Sequence, residues 1–273
     1  MRWGERPREP AFIVDFRARQ EPRPTELGLM KPLITMPVPQ STAYGWLMLA
    51  GIVVSILFWS RLARRDDRLL AVYIAALIGA FLGAKVVYFF AEGYQHLGAP
   101  DMWLQLATGK TILGGLLGGY AAVEMAKRLV GYAGVTGDWF ASIVPVGIIL
   151  GRIGCWFHGC CVGKVCQPAW FTVNDATGVA RWPSVPVEIL FNVAMVGVFV
   201  LLRRAGKLSG QHFHIYLIAY GLFRFLHEFL REEPKLFGPI TGYQIAALAV
   251  AALGWAGYRH RRAYSPPIVV EPS

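Results

Sequence analysis

The sequence predicts an all-α polytopic membrane protein with seven transmembrane helices, and three observations carry that expectation. Of the 273 residues, 55% are hydrophobic and only 16% charged, where a soluble domain of this size carries about 25% charged residues. Apolar runs of about 20 residues, the length that crosses a bilayer as helix, recur along the chain. The basic residues between those runs alternate in number from one connection to the next. Together these exclude a disordered chain, a nucleic-acid arm and an ordinary cytosolic enzyme. The net charge of +10 then belongs to a membrane protein and implies no nucleic-acid partner, because basic residues flanking apolar spans set orientation and meet anionic headgroups.

The chain opens on a charged tail, residues 1–41, holding seven of the 17 prolines. The tail reads as disordered or surface-lying, with Ala11–Phe16 as an interfacial patch. Its length and the lack of an A-x-A-like site after the first apolar run argue against a cleaved signal peptide. Seven spans follow at about 42–60, 69–91, 111–130, 138–157, 185–202, 212–230 and 240–258. They form one domain, 42–258, ahead of a short tail, 259–273. In span three, Gly114, Gly115, Gly118 and Gly119 give small-xxx-small spacing. That pattern reads as close helix packing, or as backbone approached by a lipid headgroup.

Orientation follows from charge. One set of connections carries Arg61, Arg64, Arg65, Arg68, Lys127, Arg128, Arg203, Arg204, Lys207, Arg259, Arg261 and Arg262. The other carries Lys110, Lys164, Arg181, Arg231 and Lys235. Twelve against five places the first set in the cytoplasm, with the N-terminus outside and the C-terminus inside. Seven further basic residues lie in the tail, mostly too far from span one to weigh on the count.

Three cations, Lys85, Arg152 and Arg224, fall inside spans, at roughly 2.5–3.5 kcal/mol each on insertion scales. Spans two, four and six run in the same direction, and 1.5 Å per residue puts all three about 7–9 Å from the outer surface. Snorkelling and pairing with Glu188 and Glu228 is one reading. Tyr220, Arg224, Glu228 and Arg231, however, recur every three or four residues and share a helix face. A polar stripe of that length faces protein or water. Arginine's planar fork binds phosphate bidentately, so a phosphate-bearing lipid headgroup suits such a layer.

Gly151-Arg152-Ile153-Gly154 with Gly163 downstream, and Tyr220-Gly221-Leu222-Phe223-Arg224-Phe225 followed by Glu228 and Arg231, resemble the signatures of the prolipoprotein diacylglyceryl transferase family. Weaker matches fall in order: Tyr44-Gly45, Gly79-Ala80 through Lys85 and Tyr88, Gly114-Gly115-Leu116-Leu117-Gly118, Pro183-Ser184 before Glu188, and Gln244. The resemblance covers roughly residues 38–258. It implies seven helices with the N-terminus out, in the bacterial plasma (inner) membrane. It also implies transfer of the diacylglyceryl group of phosphatidylglycerol to the cysteine thiol of a prolipoprotein signal peptide. Arg152 and Arg224 would hold the lipid phosphate, Tyr44 and Tyr220 would order the site, and Glu228 and Arg231 would support Arg224. Lys85, Gly114, Gly115, Gly154 and Gly163 would complete the substrate site, with membrane lipids around it. The implied chemistry requires no metal or organic cofactor.

The chain also departs from the family pattern. The family's histidine before the Gly-Gly of span three is Leu113 here. Cys155, His158 and Cys160 replace two asparagines and a glutamate, and Lys164 replaces an arginine, which keeps the charge and loses the fork. Phosphate binding is retained while groups expected to handle the thiol proton are replaced.

All four cysteines, Cys155, Cys160, Cys161 and Cys166, crowd around His158 at the outer end of span four. Four cysteines permit three pairings, and an oxidising location favours a disulfide clip. A soft-metal site of thiolates with His158 is a second reading, although the C-x2-C pairs of a zinc site are missing. His158 as the base that Leu113 cannot be is a third. Two other function classes remain open: a lipid-headgroup-binding or thiol-redox membrane protein on the same scaffold, and a small-anion transporter. The transporter reading predicts interrupted helices in paired halves, a pattern the sequence does not show.

Overall fold

A computed structural model describes residues 34–35 and 41–264 of the chain. Residues 1–33, with the Ala11–Phe16 patch, residues 36–40 and the last nine residues lie outside that range, while Ile34–Thr35 of the expected tail pairs as a strand with Val173–Asn174. The chain forms α1 (Ser41–Ala63), α2 (Arg68–Ala91), a short α3 (Met102–Thr108), α4 (Ile112–Leu129), α5 (Gly137–His158), α6 (Ser184–Arg204), α7 (His212–His227) and α8 (Gly242–Tyr264). Short strands cap one end. β1 (Ile34–Thr35) runs parallel to β2 (Val173–Asn174), β3 (Ala180–Arg181) pairs antiparallel with β2, and β4 (Lys235–Phe237) forms a hairpin with β5 (Ile240–Thr241).

Each expected span corresponds to a long helix, and four of them (Tyr44–Ala63, Arg68–Ala91, Gly137–His158 and Ser184–Arg204) are long and apolar enough to cross a membrane. α7 has 16 residues, about 24 Å at 1.5 Å per residue, against a hydrocarbon core of roughly 30 Å. Its expected run to residue 230 is interrupted, because Glu228–Leu230 tightens into a 3₁₀ turn. α8 starts two residues later than the run expected from residue 240, since Ile240–Thr241 belongs to the hairpin. A capping box fixes that start: the Thr241 amide donates to Gln244 Oε1 at 2.9 Å, and the Gln244 amide donates to Thr241 Oγ1 at 3.1 Å. This reciprocal pair satisfies two helix-end donors at once.

Burial is inverted relative to a water-soluble protein. Ile52, Leu57, Leu70, Ile74, Phe81, Leu82, Leu190, Leu201, Leu226 and Leu248 are exposed, while Arg152, Glu188, Asn192, His212, Arg224 and Glu228 are buried. Apolar surface turned outward with ions turned inward is the arrangement lipid requires. Small residues set the helix spacing. α2 packs on α4 through Gly79 and Gly83 against Gly114 and Gly118, where a Cβ at any of the four would collide with the opposing backbone. α7 packs on α8 in the same manner, Gly221 resting on Ala247 and Ala251. Such close approach gives the van der Waals contact that holds helices together where lipid is as apolar as the side chains.

Candidate functional site

α5, α6 and α7 deliver the buried charges to one point. Arg152 Nη2 lies 2.9 Å from Glu188 Oε2, and Arg224 Nη1 lies 3.4 Å from the same oxygen. Arg224 Nη2 donates to Glu228 Oε2 at 2.8 Å, one helical turn on. The Tyr220 hydroxyl donates to the other Glu188 oxygen at 2.7 Å. The Glu188 backbone carbonyl accepts from Asn192 Nδ2 at 2.8 Å, and Asn192 Oδ1 accepts from the Tyr216 hydroxyl at 2.7 Å. Glu188 and Tyr220 are fully buried, so the arginines are gripped from beneath by a carboxylate whose own geometry is fixed.

The loops beyond the helices add a third guanidinium. Gly163 bridges to Arg231, and the Lys164 amide donates to the Leu230 carbonyl at 2.9 Å. This stitches the segment after α5 to the segment after α7. Arg231 Nη2 donates to Glu233 Oε1 at 2.6 Å, and its Nε stands 3.7 Å from Glu228 Oε2. Burial pushes the Glu233 carboxyl up, with the charge of Arg231 opposing it. Farther out, Arg181 joins Asp175 at 2.5 Å to Glu232 at 2.7 Å. Burial raises the Asp175 carboxyl, but hydrogen bonds from Thr177, Arg181 and the Val179 amide outweigh it and hold the group at about 2.

Above the network opens a cavity of about 1280 Å³. Tyr44, Lys85, Gly115, Arg152, His158, Arg224 and Arg231 line it. Its long wall is apolar (Met48, Ala80, Leu113, Leu116, Val144, Ile148), and its far end reaches Trp59, Tyr73 and Tyr120. Arg152 Nε and Arg231 Nη1 are buried and without a hydrogen-bond partner among the described residues. An unsatisfied buried donor is unfavourable by about 1–3 kcal/mol, so these two N–H groups leave room for an acceptor from outside the chain.

The other sequence candidates sort by position. Tyr220, Glu228, Gly114, Gly154 and Gly163 lie outside the cavity wall. Tyr220 and Glu228 position the arginines. Gly154 makes room for Tyr44, whose Cδ2 would stand 2.9 Å from a Cβ there, and Gly163 does the same for Trp182. Lys85 does not join the arginines. Its ammonium donates to the carbonyls of Leu106 at 3.0 Å, Ala107, and Gly109 at 2.7 Å, closing the end of α3. His158 is exposed and faces the Tyr44 ring at a centroid distance of 5.8 Å.

None of the four cysteines is bonded to another in this structure. Cys155, Cys160 and Cys161 gather with their sulfurs within 4.8 Å of one another, while Cys166 sits apart, its amide bonded to Ala180. Hydrogen bonds with Cys155 and Cys160, aided by Arg152 and Arg231, hold the Cys161 thiol well below its ordinary value despite burial. The sequence reading also passed over Asn192, Glu233 and the pair Trp182–His227, joined at 3.1 Å. Asn192 lies four residues after Glu188, on the same helix face, which is the signal that would have found it.

Residues 33–259 match the prolipoprotein diacylglyceryl transferase family. Among individual proteins, the phosphatidylglycerol–prolipoprotein diacylglyceryl transferase of Chromohalobacter salexigens is 31% identical over 78% of this chain and 85% of its own length. That of Hydrogenovibrio crunogenus is 28% identical over 82% of this chain and 92% of its own, and that of Clostridium tetani 25% identical over 70% and 81%. The matched stretch contains every member of the arginine–glutamate network and nearly all of the cavity wall, and the chain belongs to the prolipoprotein diacylglyceryl transferase family.

Proposed function

We propose that this chain transfers the diacylglyceryl group of phosphatidylglycerol to the thiol of a prolipoprotein signal-peptide cysteine. The observation that carries the reading is the pairing of unsatisfied guanidinium donors with a long apolar cavity. Arg152, Arg224 and Arg231 receive the phosphate at one end, and the acyl chains extend along the wall from Met48 to Ile148. The thiolate sulfur attacks the glycerol carbon that bears the phosphate ester, a C–S bond forms, the C–O bond breaks, and glycerol phosphate leaves. The arginines stabilise the charge that grows on the leaving phosphate. His158, at the same end of the cavity, takes the thiol proton, since the thiolate is the nucleophile.

In this reading residues 42–258 form a seven-span catalytic domain in the plasma membrane. Residues 1–41 stand outside as a Pro-rich tail, and 259–273 form a cytoplasmic tail. The excess of Arg and Lys on one set of connections supports that direction. The test is complementation of a bacterial strain depleted of its own transferase, alongside transfer from labelled phosphatidylglycerol to a signal-peptide substrate by the purified chain. Growth with labelled peptide is the expected result. Failure of both, with the protein inserted and folded, overturns the proposal in favour of a headgroup-binding protein that has lost transfer. A reporter after Ser273 reads as cytoplasmic if the orientation is right.

A further inference from the structure

We propose that Cys155, Cys160 and Cys161 form a three-thiolate site for a soft monovalent metal ion, Cu(I) by its chemistry, at the arginine end of the cavity. The site is built by the backbone. α5 ends at Gly159 in the left-handed region, φ 69°, and the Cys160 amide turns back to the Cys155 carbonyl at 3.2 Å. Cys161 then adopts φ 61°, a conformation uncommon outside glycine and disfavoured by its Cβ. This double reversal brings two consecutive cysteines back over Cys155 in the last turn of the helix, where an extended continuation would have carried them away.

The sulfur spacing fits. A metal–thiolate bond of about 2.3 Å, the zinc value, separates three sulfurs by about 4 Å around a trigonal ion. Here Cys160 Sγ and Cys161 Sγ are 3.8 Å apart, and all three sulfurs lie within 4.8 Å of one another. Closure requires shifts of less than an ångström, within the reach of side-chain rotation. The three thiols line the cavity, which supplies an entry path.

The donor set selects the metal. A structural zinc site closes with four protein ligands, and among the described residues no other His, Cys, Asp or Glu joins the three sulfurs. His158 is turned to the Tyr44 ring, and Glu188, Glu228 and Glu233 are engaged by arginines. Three soft thiolates without a fourth donor suit Cu(I). The assembly would carry a net charge of about −2, since each ligating thiol is deprotonated. Arg152 and Arg231 line the same cavity as the three cysteines, and their cations offset that charge.

Purified full-length protein in detergent, titrated anaerobically with Cu(I) against a chromophoric Cu(I) chelator, tests the site independently of lipid transfer. The parent and Cys166→Ser should each retain one Cu(I) per chain. Cys155→Ser, Cys160→Ser and Cys161→Ser should each weaken retention by more than the roughly 10–100-fold typical of an outer-shell change. The unfolding midpoint should rise with Cu(I) for the parent, as for any ligand that binds only the folded state. Copper-edge X-ray absorption on the parent should show three sulfur neighbours, a readout that stands even if a serine variant fails to fold. Cu(I) lost by the parent to the chelator, equal retention by folded serine variants, or nitrogen and oxygen neighbours in place of sulfur would each overturn the proposal.

Discussion

The Tyr220 hydroxyl donates to Glu188 Oε1 at 2.7 Å while Arg152 and Arg224 both approach Glu188 Oε2. One buried carboxylate therefore holds two cations with one oxygen and is itself held through the other. Replacing Glu188 with Gln leaves two buried guanidinium groups short of a counter-charge, and breaking a buried pair in this way is unfavourable by about 3–5 kcal/mol. Tyr220→Phe removes a single hydrogen bond to a charged group, about 1.5–3 kcal/mol. Thermal unfolding in detergent should rank Glu188→Gln below Tyr220→Phe. The double variant should lose less than the two separate losses together, because the residues share one network. Additive losses would show that Tyr220 acts independently of Glu188.

Lys85 makes the opposite case to the arginines. Three carbonyls from Leu106 to Gly109 converge on its ammonium, an arrangement that suits a compact charge with three donors and not a planar fork. Lys85→Met should release the end of α3 and expose its amides to hydrogen exchange. Lys85→Arg should do so in part, although it preserves the charge. Unchanged protection of residues 102–109 in both variants would refute this role.

Asp175 gives the outer loop a pH dependence. Its folded carboxyl lies at about 2, below the ordinary aspartate value of 3.8, so ionisation favours the folded loop. The stabilisation is fully present above 3.8 and is lost as pH falls through about 2. Limited proteolysis should therefore find the segment between α5 and α6 protected at pH 5 and cut increasingly below pH 3.8. Asp175→Asn should be cut equally at both.

The sequence made Arg152, Arg224, Glu228 and Arg231 conspicuous because ions are rare in apolar runs and a helix repeats every three or four residues. Their convergence on Glu188 was not legible, since it depends on how α5, α6 and α7 cross. Those crossings are set by steric detail such as Gly154 beneath Tyr44. Lys85 was placed among the arginines because α3, at seven residues, is too short to register as a span, and without it the lysine has no carbonyls to bind. Strands of two and three residues carry no periodicity at all. The cysteine spacing suggested a clip. Left-handed turns at Gly159 and Cys161, which no side-chain pattern announces, bring three thiols together and leave Cys166 out.

His158 stands at the cavity mouth where Leu113, buried in the wall, has no proton to exchange. His158→Gln should keep the fold and lower transfer by about 10²–10⁴-fold, the usual contribution of a positioned acid or base. Transfer at the parent rate would move the proton to another acceptor. Glu233, whose carboxyl is pushed up by burial, is then the group to replace.

Arg152 and Arg224 separate charge from geometry. In each, lysine keeps the cation and loses the fork that meets two phosphate oxygens at once. A group present only to balance Glu188 should tolerate the exchange, because an ammonium pairs with a carboxylate as well. A group that grips phosphate should not, and Arg152 keeps a buried Nε–H without a partner among the described residues, a donor that lysine lacks. Losing one hydrogen bond to a charged group is unfavourable by about 1.5–3 kcal/mol, which is roughly ten- to a hundredfold in rate if the bond forms in the transition state. Arg152→Lys and Arg224→Lys should therefore insert and unfold like the parent, yet transfer lipid at about a tenth to a hundredth of its rate. The loss should appear in kcat if the contact tightens as charge leaves the glycerol carbon, and in KM alone if it serves only to bind. Parent-like transfer by both variants would reduce the arginines to counter-ions of Glu188 and remove the basis for the phosphate site.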